Sequence, residues 1–233
     1  LNEKVFSKEF TGHGGVMTLQ GTVNKTAITL GLLVASASIT WGGVVNPMAL
    51  WGGLIGGLIF ALVTIFKKTA SPISVPLYAI CEGLFLGGIS TYYEQRYPGI
   101  VIQAVSLTFA IMFSLLFLYK TKVIAATENF KLGICAATGG IGLVYLVTFI
   151  LGFFGVQVPF IHGSGLLGIG FSLFVVVIAS LNLVMDFDFI EDASARGNVP
   201  KYMEWYGAFG LTVTLVWLYL ELLRLLAKLQ NRR

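Results

Sequence analysis

Seven runs of mainly apolar residues dominate this chain, and each has about the 20-residue length that an α-helix needs to cross a bilayer. They lie near residues 26–45, 48–66, 75–93, 100–119, 132–154, 165–185 and 206–226. The sixth has the character to continue through residue 190. The breaks between runs carry ordinary stop signals. Asn46-Pro47 and Tyr97-Pro98-Gly99 are tight turns, Lys67-Lys68 ends the second run, and Pro72 and Pro76 open the third. Lys120 and Lys122 end the fourth. A Gly/Pro/His loop covers 155–163 and a charged loop covers 191–201.

A water-soluble helical fold is excluded because several runs are apolar all round instead of on one face. Only 11% of the residues are charged, against about 25% in soluble domains. The fold class that follows is all-α: a polytopic integral membrane protein with a seven-transmembrane-helix bundle. Residues 1–25 read as a polar, mobile, cytoplasmic tail along the membrane surface, without the apolar core of a signal peptide. Residues 26–229 form a single membrane domain, and 230–233 a basic tail. Gly53-Gly57 and Gly83-Gly87 place small residues four apart, which permits close helix approach in lipid. Trp41, Trp51, Tyr92, Tyr93, Tyr119, Trp205 and Tyr206 lie near run ends, as an aromatic belt requires.

With seven crossings, Lys4, Lys8, Lys25, Lys67, Lys68, Lys120, Lys122, Lys131, Arg196 and Lys201 fall on one side. Arg96, Arg224, Lys228, Arg232 and Arg233 fall on the other. The first side, with the N-terminus, is expected to be cytoplasmic. The basic C-terminus conflicts with the count, and full crossing of the last helix is favoured over re-entry.

The basic residues are scattered over short loops, which excludes a nucleic-acid face. Cys81 and Cys135 sit inside apolar runs, too few for a disulfide framework and without a metal-site neighbour. His13 and His162 are the only histidines and lie outside the runs. No zinc site or histidine-based nucleophile has its ligands, and no deep lysine could carry retinal. An enzyme is not expected, nor is a resident cofactor.

Against this background four acids stand out: Glu82, Asp186, Asp188 and Glu221. A carboxylate at the centre of a membrane helix costs about 2.5–3.5 kcal/mol on insertion scales, so such residues usually face a bundle interior or a water-filled path. Asp186 and Asp188 are two apart, so they point about 200° from each other on a helix. Glu221 has Arg224 three residues later on the same face, and a purely structural pair is one reading of it. Two carboxylates that meet in a low-dielectric place cannot both ionise cheaply, and they share a proton. Asp186, Asp188 and Glu221 are therefore the candidate calcium and proton latch, since calcium takes oxygen ligands in irregular geometry. Glu82 either lines the same path or bonds neighbouring helices. Lys67 and Lys68 are positive-inside anchors, or one of them neutralises the acids. Asp186 and Glu221 meet only if the sixth helix continues past Asp186 and the start of the seventh protrudes.

Longer strings carry a family resemblance. They are Asn182-Leu183-Val184-Met185-Asp186-Phe187-Asp188-Phe189-Ile190-Glu191 and Pro200-Lys201-Tyr202-Met203-Glu204-Trp205-Tyr206-Gly207-Ala208-Phe209-Gly210. The second continues into Val216-Trp217-Leu218-Tyr219-Leu220-Glu221-Leu222-Leu223-Arg224-Leu225-Leu226, supported by Pro76-Leu77-Tyr78-Ala79 and Glu82-Gly83-Leu84-Phe85-Leu86-Gly87. From about Trp51 onward the chain resembles the Bax-inhibitor family, and is most similar to its bacterial branch of short seven-helix members. The resemblance implies a bundle with the last helix at its centre and a pH-sensitive calcium leak. It also implies a latch of acids on the sixth and seventh helices, closed by a base from the second. The matching positions are Asp186, assisted by Asp188, with Glu221, and Lys67 or Lys68. Two departures stand out: Glu221 where characterised members carry Asp, and Lys where a bidentate Arg would clamp the acids.

The expected function is thus a pH-sensitive calcium leak channel of a bacterial cytoplasmic membrane, whose partners are calcium, protons and the bilayer. The alternative is a non-conducting interaction protein that modulates a membrane protein partner in a protease or stress and cell-death pathway. A proton-coupled transporter is a third reading, but no substrate pocket is legible.

Overall fold

Helix boundaries follow from local capping chemistry. The Thr18 side chain accepts the Gly21 amide at 3.0 Å and starts α1, Leu19–Thr40. Asn46 accepts the Met48 amide at 3.0 Å, and Pro47 occupies the first turn of α2, Pro47–Phe66, where its missing N–H costs nothing. A single 3-10 turn, Lys68–Ala70, leads into α3, Ser71–Arg96, which runs through Pro76 without ending. Gly99 (φ +83°) turns the chain into α4, Ile100–Lys120, a conformation that glycine adopts freely. The Glu94 carboxylate closes that turn by accepting the Gly99 and Val101 amides at 2.6 and 3.1 Å. Thr127 caps α5, Glu128–Phe153, and α6 and α7 follow as Leu166–Ala195 and Met203–Gln230.

This computed structural model describes residues 15–43, 46–155, 163 and 165–232. All seven of its long helices are long and apolar enough to span a membrane. The protein is an all-α polytopic membrane protein. Residues 1–14, both histidines, the end of the first apolar run and most of the 155–163 loop lie outside the described residues.

The first helix departs most from the sequence reading. It starts at Leu19, not near residue 26, because its inward face is a stripe of hydroxyls: Thr22, Thr26, Thr29 and Ser36 are buried together with Leu33. Each hydroxyl bonds a carbonyl one turn back, at 2.7–2.9 Å, which makes a polar-looking segment compatible with an apolar surround. The described end of the N-terminal tail is also held in place. Met17 is 2% exposed, its amide donates to Val199 O at 2.8 Å, and the Lys201 amide donates to Gly15 O at 3.1 Å.

The described residues form two compact units, falling within Leu1–Thr91 with Phe189–Thr212 and within Tyr92–Asp188 with Val213–Arg233. In the first, α1, α2 and α3 pack closely. Ser36 and Thr40 of α1 donate to Ala79 O and Leu84 O of α3, and Gly83 and Gly87 of α3 leave no room for a side chain against α1. Thr64 of α2 bonds Ser74 of α3 at 2.7 Å. Tyr78 and Phe209 meet edge to face over Val75, Phe60 and Trp205. In the second unit, Ile134 and Ile141 of α5 pack on Val175 and Ile178 of α6, with Trp217 of α7 alongside. The last helix is the most buried span, with 56% of its most apolar stretch inside the protein against 11% for α5.

The contact at Gly53 is the tightest between backbones of α2 and α3. A Cβ there would stand 2.6 Å from Cys81 O and 2.8 Å from Phe85 N, neither of which can rotate away. Gly53→Ala is expected to destabilise by about 1–3 kcal/mol, read as a lower thermal midpoint in detergent. Gly52→Ala, facing open space, is expected to leave the midpoint unchanged or slightly raised.

Candidate functional site

The second unit carries Asp186, Asp188 and Glu221, and holds each in a different way. Asp186 follows the fully buried Leu183 and Val184 on α6. The Thr214 side chain of α7 lies beside its carboxyl. Its Oδ2 is sealed from solvent and accepts no hydrogen bond from the described residues. Leaving such an atom unsatisfied costs about 1–3 kcal/mol, so the position is a poor one for purely structural use.

Asp188 points the other way, as its two-residue offset requires. It is 26% exposed, pairs with Lys131 of α5 at 2.9 Å, and accepts from Tyr119 of α4 at 3.4 Å. Glu221, 1% exposed, closes a triangle. Its Oε1 accepts from Tyr145 of α5 at 2.9 Å and from Arg224 at 2.7 Å, and Arg224 also donates to the Tyr145 hydroxyl at 3.2 Å. The Arg224 guanidinium lies over the Tyr145 ring, 5.3 Å from its centre. The structural pair of Glu221 with Arg224 is therefore formed.

The carboxylate pair expected between Asp186 and Glu221 is not formed. Thr214 and Glu221 are seven residues apart, or about 10 Å along α7. Register explains the separation. Ile190 packs 3.2 Å from where a Cβ on Gly207 would lie. Antiparallel helices advance in opposite senses, so stepping back along α6 from Ile190 to Asp186 moves forward along α7 from Gly207 toward Thr214. The sixth helix does continue, to Ala195. Among the described residues no three His, Cys, Asp or Glu side chains gather as a metal site.

The remaining candidates lie in the first unit. Glu82 is half-buried on α3 against Gly57 of α2, where a Cβ would come within 2.7 Å of its Oε2. Gly57 thus makes room for the carboxylate as well as for the helix. Lys67 ends α2, exposed. Lys68 is also exposed and stands 5.1 Å over the Tyr206 ring. Among the described residues neither lysine pairs with an acid.

Sequence reasoning missed the most heavily bonded acid in this unit. Glu204, in the first turn of α7, is 1% exposed and forms an ion pair with Lys25 of α1. It also accepts the Thr18 amide at 3.0 Å and the Thr18 hydroxyl at 2.9 Å. Gly21 leaves the space this carboxylate fills. Glu204 resembled a loop acid and Lys25 a membrane anchor, because nothing local links residues so far apart. The available signal was that Glu204 stands within one of the long unusual strings. Thr214, Tyr145 and the bond from Asn182 to Thr138, at 2.8 Å, were likewise invisible as partners.

A family model described as Bax inhibitor 1 like matches residues 1–231. The chain belongs to that family. No curated protein matches it. In this Bax-inhibitor-like protein the group on α7 that meets Asp186 is a hydroxyl, where the resemblance implied an acid.

Lys25→Ala would strand the buried Glu204 charge. It is expected to cost about 3–5 kcal/mol, seen as a large fall in the thermal midpoint, whereas Lys25→Arg is expected to keep most of the stability.

Proposed function

We propose that this membrane protein is a pH-sensitive calcium leak in which Asp186 is the sensing group. The reading is carried by one observation: a buried Asp186 carboxylate oxygen that has no hydrogen-bond partner among the described residues and, unlike that of Glu221, belongs to a group with no ion pair among them. Ionised, such a group attracts a cation into an otherwise apolar wall. Protonated, it is neutral and repels nothing, so α6 and α7 stay packed. Flux is then expected to rise with pH through the range in which Asp186 ionises. A lone acid suits a leak, because conduction requires binding weak enough to release the ion, whereas a high-affinity calcium site gathers six to eight oxygens. The family resemblance supports the same activity. The distribution of lysines and arginines supports a cytoplasmic N-terminus, and the resemblance to the short seven-helix branch supports a bacterial cytoplasmic membrane.

The second reading is a non-conducting interaction protein. What favours it is the closed triangle of Glu221, Tyr145 and Arg224, in which an acid of the expected latch serves as a structural tie.

Calcium efflux from liposomes holding the purified protein, measured across the neutral pH range, separates the two. Asp186→Asn is expected to abolish the pH response. Tyr145→Phe is expected to leave the response in place. Flux no greater than from empty liposomes, with the protein folded and inserted, would remove the leak reading and favour the interaction protein.

A further inference from the structure

Arg96, Arg224 and Lys228 are three of the five basic residues that the charge count assigns to the side away from the N-terminus. In the second unit they converge. A cavity of about 870 Å³ lies among the C-terminal end of α3, the C-terminal half of α5, the start of α6 and the last turns of α7, and all three cations line it. No carboxylate is among the described lining residues. Glu221 stands behind Arg224. The cations are held in place. Lys228 donates to Gly168 O at 3.0 Å and to the Ser172 hydroxyl at 2.8 Å, Arg96 lies over the Tyr97 ring 6.0 Å from its centre, and Arg224 donates to the Tyr145 hydroxyl. The walls are otherwise aromatic, with Phe149, Phe153 and Phe171 together with four tyrosines.

We infer that this cavity binds a phosphate-bearing amphiphile. Its anionic head would sit among Arg96, Arg224 and Lys228, and its apolar chain would lie along Phe149, Phe153 and Phe171. Guanidinium and ammonium groups recognise phosphate with charge-assisted hydrogen bonds, and phenol hydroxyls add neutral donors. An apolar wall beside that head gives a chain somewhere to go, which inorganic phosphate does not need. The bilayer supplies such a molecule, an anionic phospholipid, and basic pockets between membrane helices are known hosts for these head groups. The excess positive charge also makes the cavity a poor path for calcium, so the site is independent of Asp186. The same use explains why basic residues sit where the positive-inside tendency disfavours them.

The test uses the full chain purified in neutral detergent, with phosphatidylglycerol, phosphatidylcholine and soluble glycerol phosphate as probes. Native mass spectrometry is expected to show phosphatidylglycerol retained over phosphatidylcholine by on the order of tenfold or more, with a matching rise in thermal midpoint. The double variant Arg96→Gln/Lys228→Gln is expected to lose that preference, its midpoint becoming the same in phosphatidylglycerol as in phosphatidylcholine. Equal retention of the two lipids by the wild type would overturn the proposal, as would a double variant that keeps the preference. Stabilisation by glycerol phosphate equal to that by phosphatidylglycerol would also overturn it, by assigning the site to a free phosphate. The wild-type comparison decides the matter even if the double variant does not fold.

Discussion

A polar atom inside hydrocarbon has no water to turn to, so it must find its partner within the protein. That constraint organises this fold. The backbone meets it by forming long helices. The hydroxyls on α1 meet it by bonding carbonyls one turn back and, at Ser36 and Thr40, carbonyls of α3. Glu204 meets it with Lys25 and Thr18, which fastens the start of α7 to the start of α1. Two atoms do not meet it, Asp186 Oδ2 and Glu221 Oε2.

The acids of the membrane helices therefore separate into kinds. Asp188 is partly exposed and neutralised by Lys131. Glu221 is buried but tied twice through Oε1, so its charge is committed to α5 and α7. Asp186 has a neutral hydroxyl for company and an oxygen with none. Three carboxylates that resemble one another in the chain thus have three electrostatic situations. Their helical phases and the register between α6 and α7 assign them.

Much of the architecture was legible. Apolar length alone located seven spans, because the thickness of a bilayer leaves few alternatives. Small-residue spacing at Gly53-Gly57 and Gly83-Gly87 marked real helix contacts, since only glycine permits such backbone approach. The boundary of α1 was not legible. Thr22 and Thr26 lower the local hydropathy as loop residues would, and only neighbouring carbonyls reveal them as an inward face. Within the site, the pair of Glu221 with Arg224 could be foreseen because helical geometry places residues three apart together. The partner of Asp186 could not, because Thr214 carries no sign of its role until two helices are aligned.

By itself, then, the sequence determined that the chain is a seven-span helical membrane protein, and which few residues carry charge at a cost. The reason is that insertion energetics depend on composition and length, which are local quantities. Only the tertiary structure decided which groups meet: Glu204 with Lys25, Asp186 with Thr214, and three distant cations around one cavity. These juxtapositions depend on the docking register of helices. Register is set by close packing at a few positions such as Gly207 against Ile190, and no periodicity within a single helix encodes it.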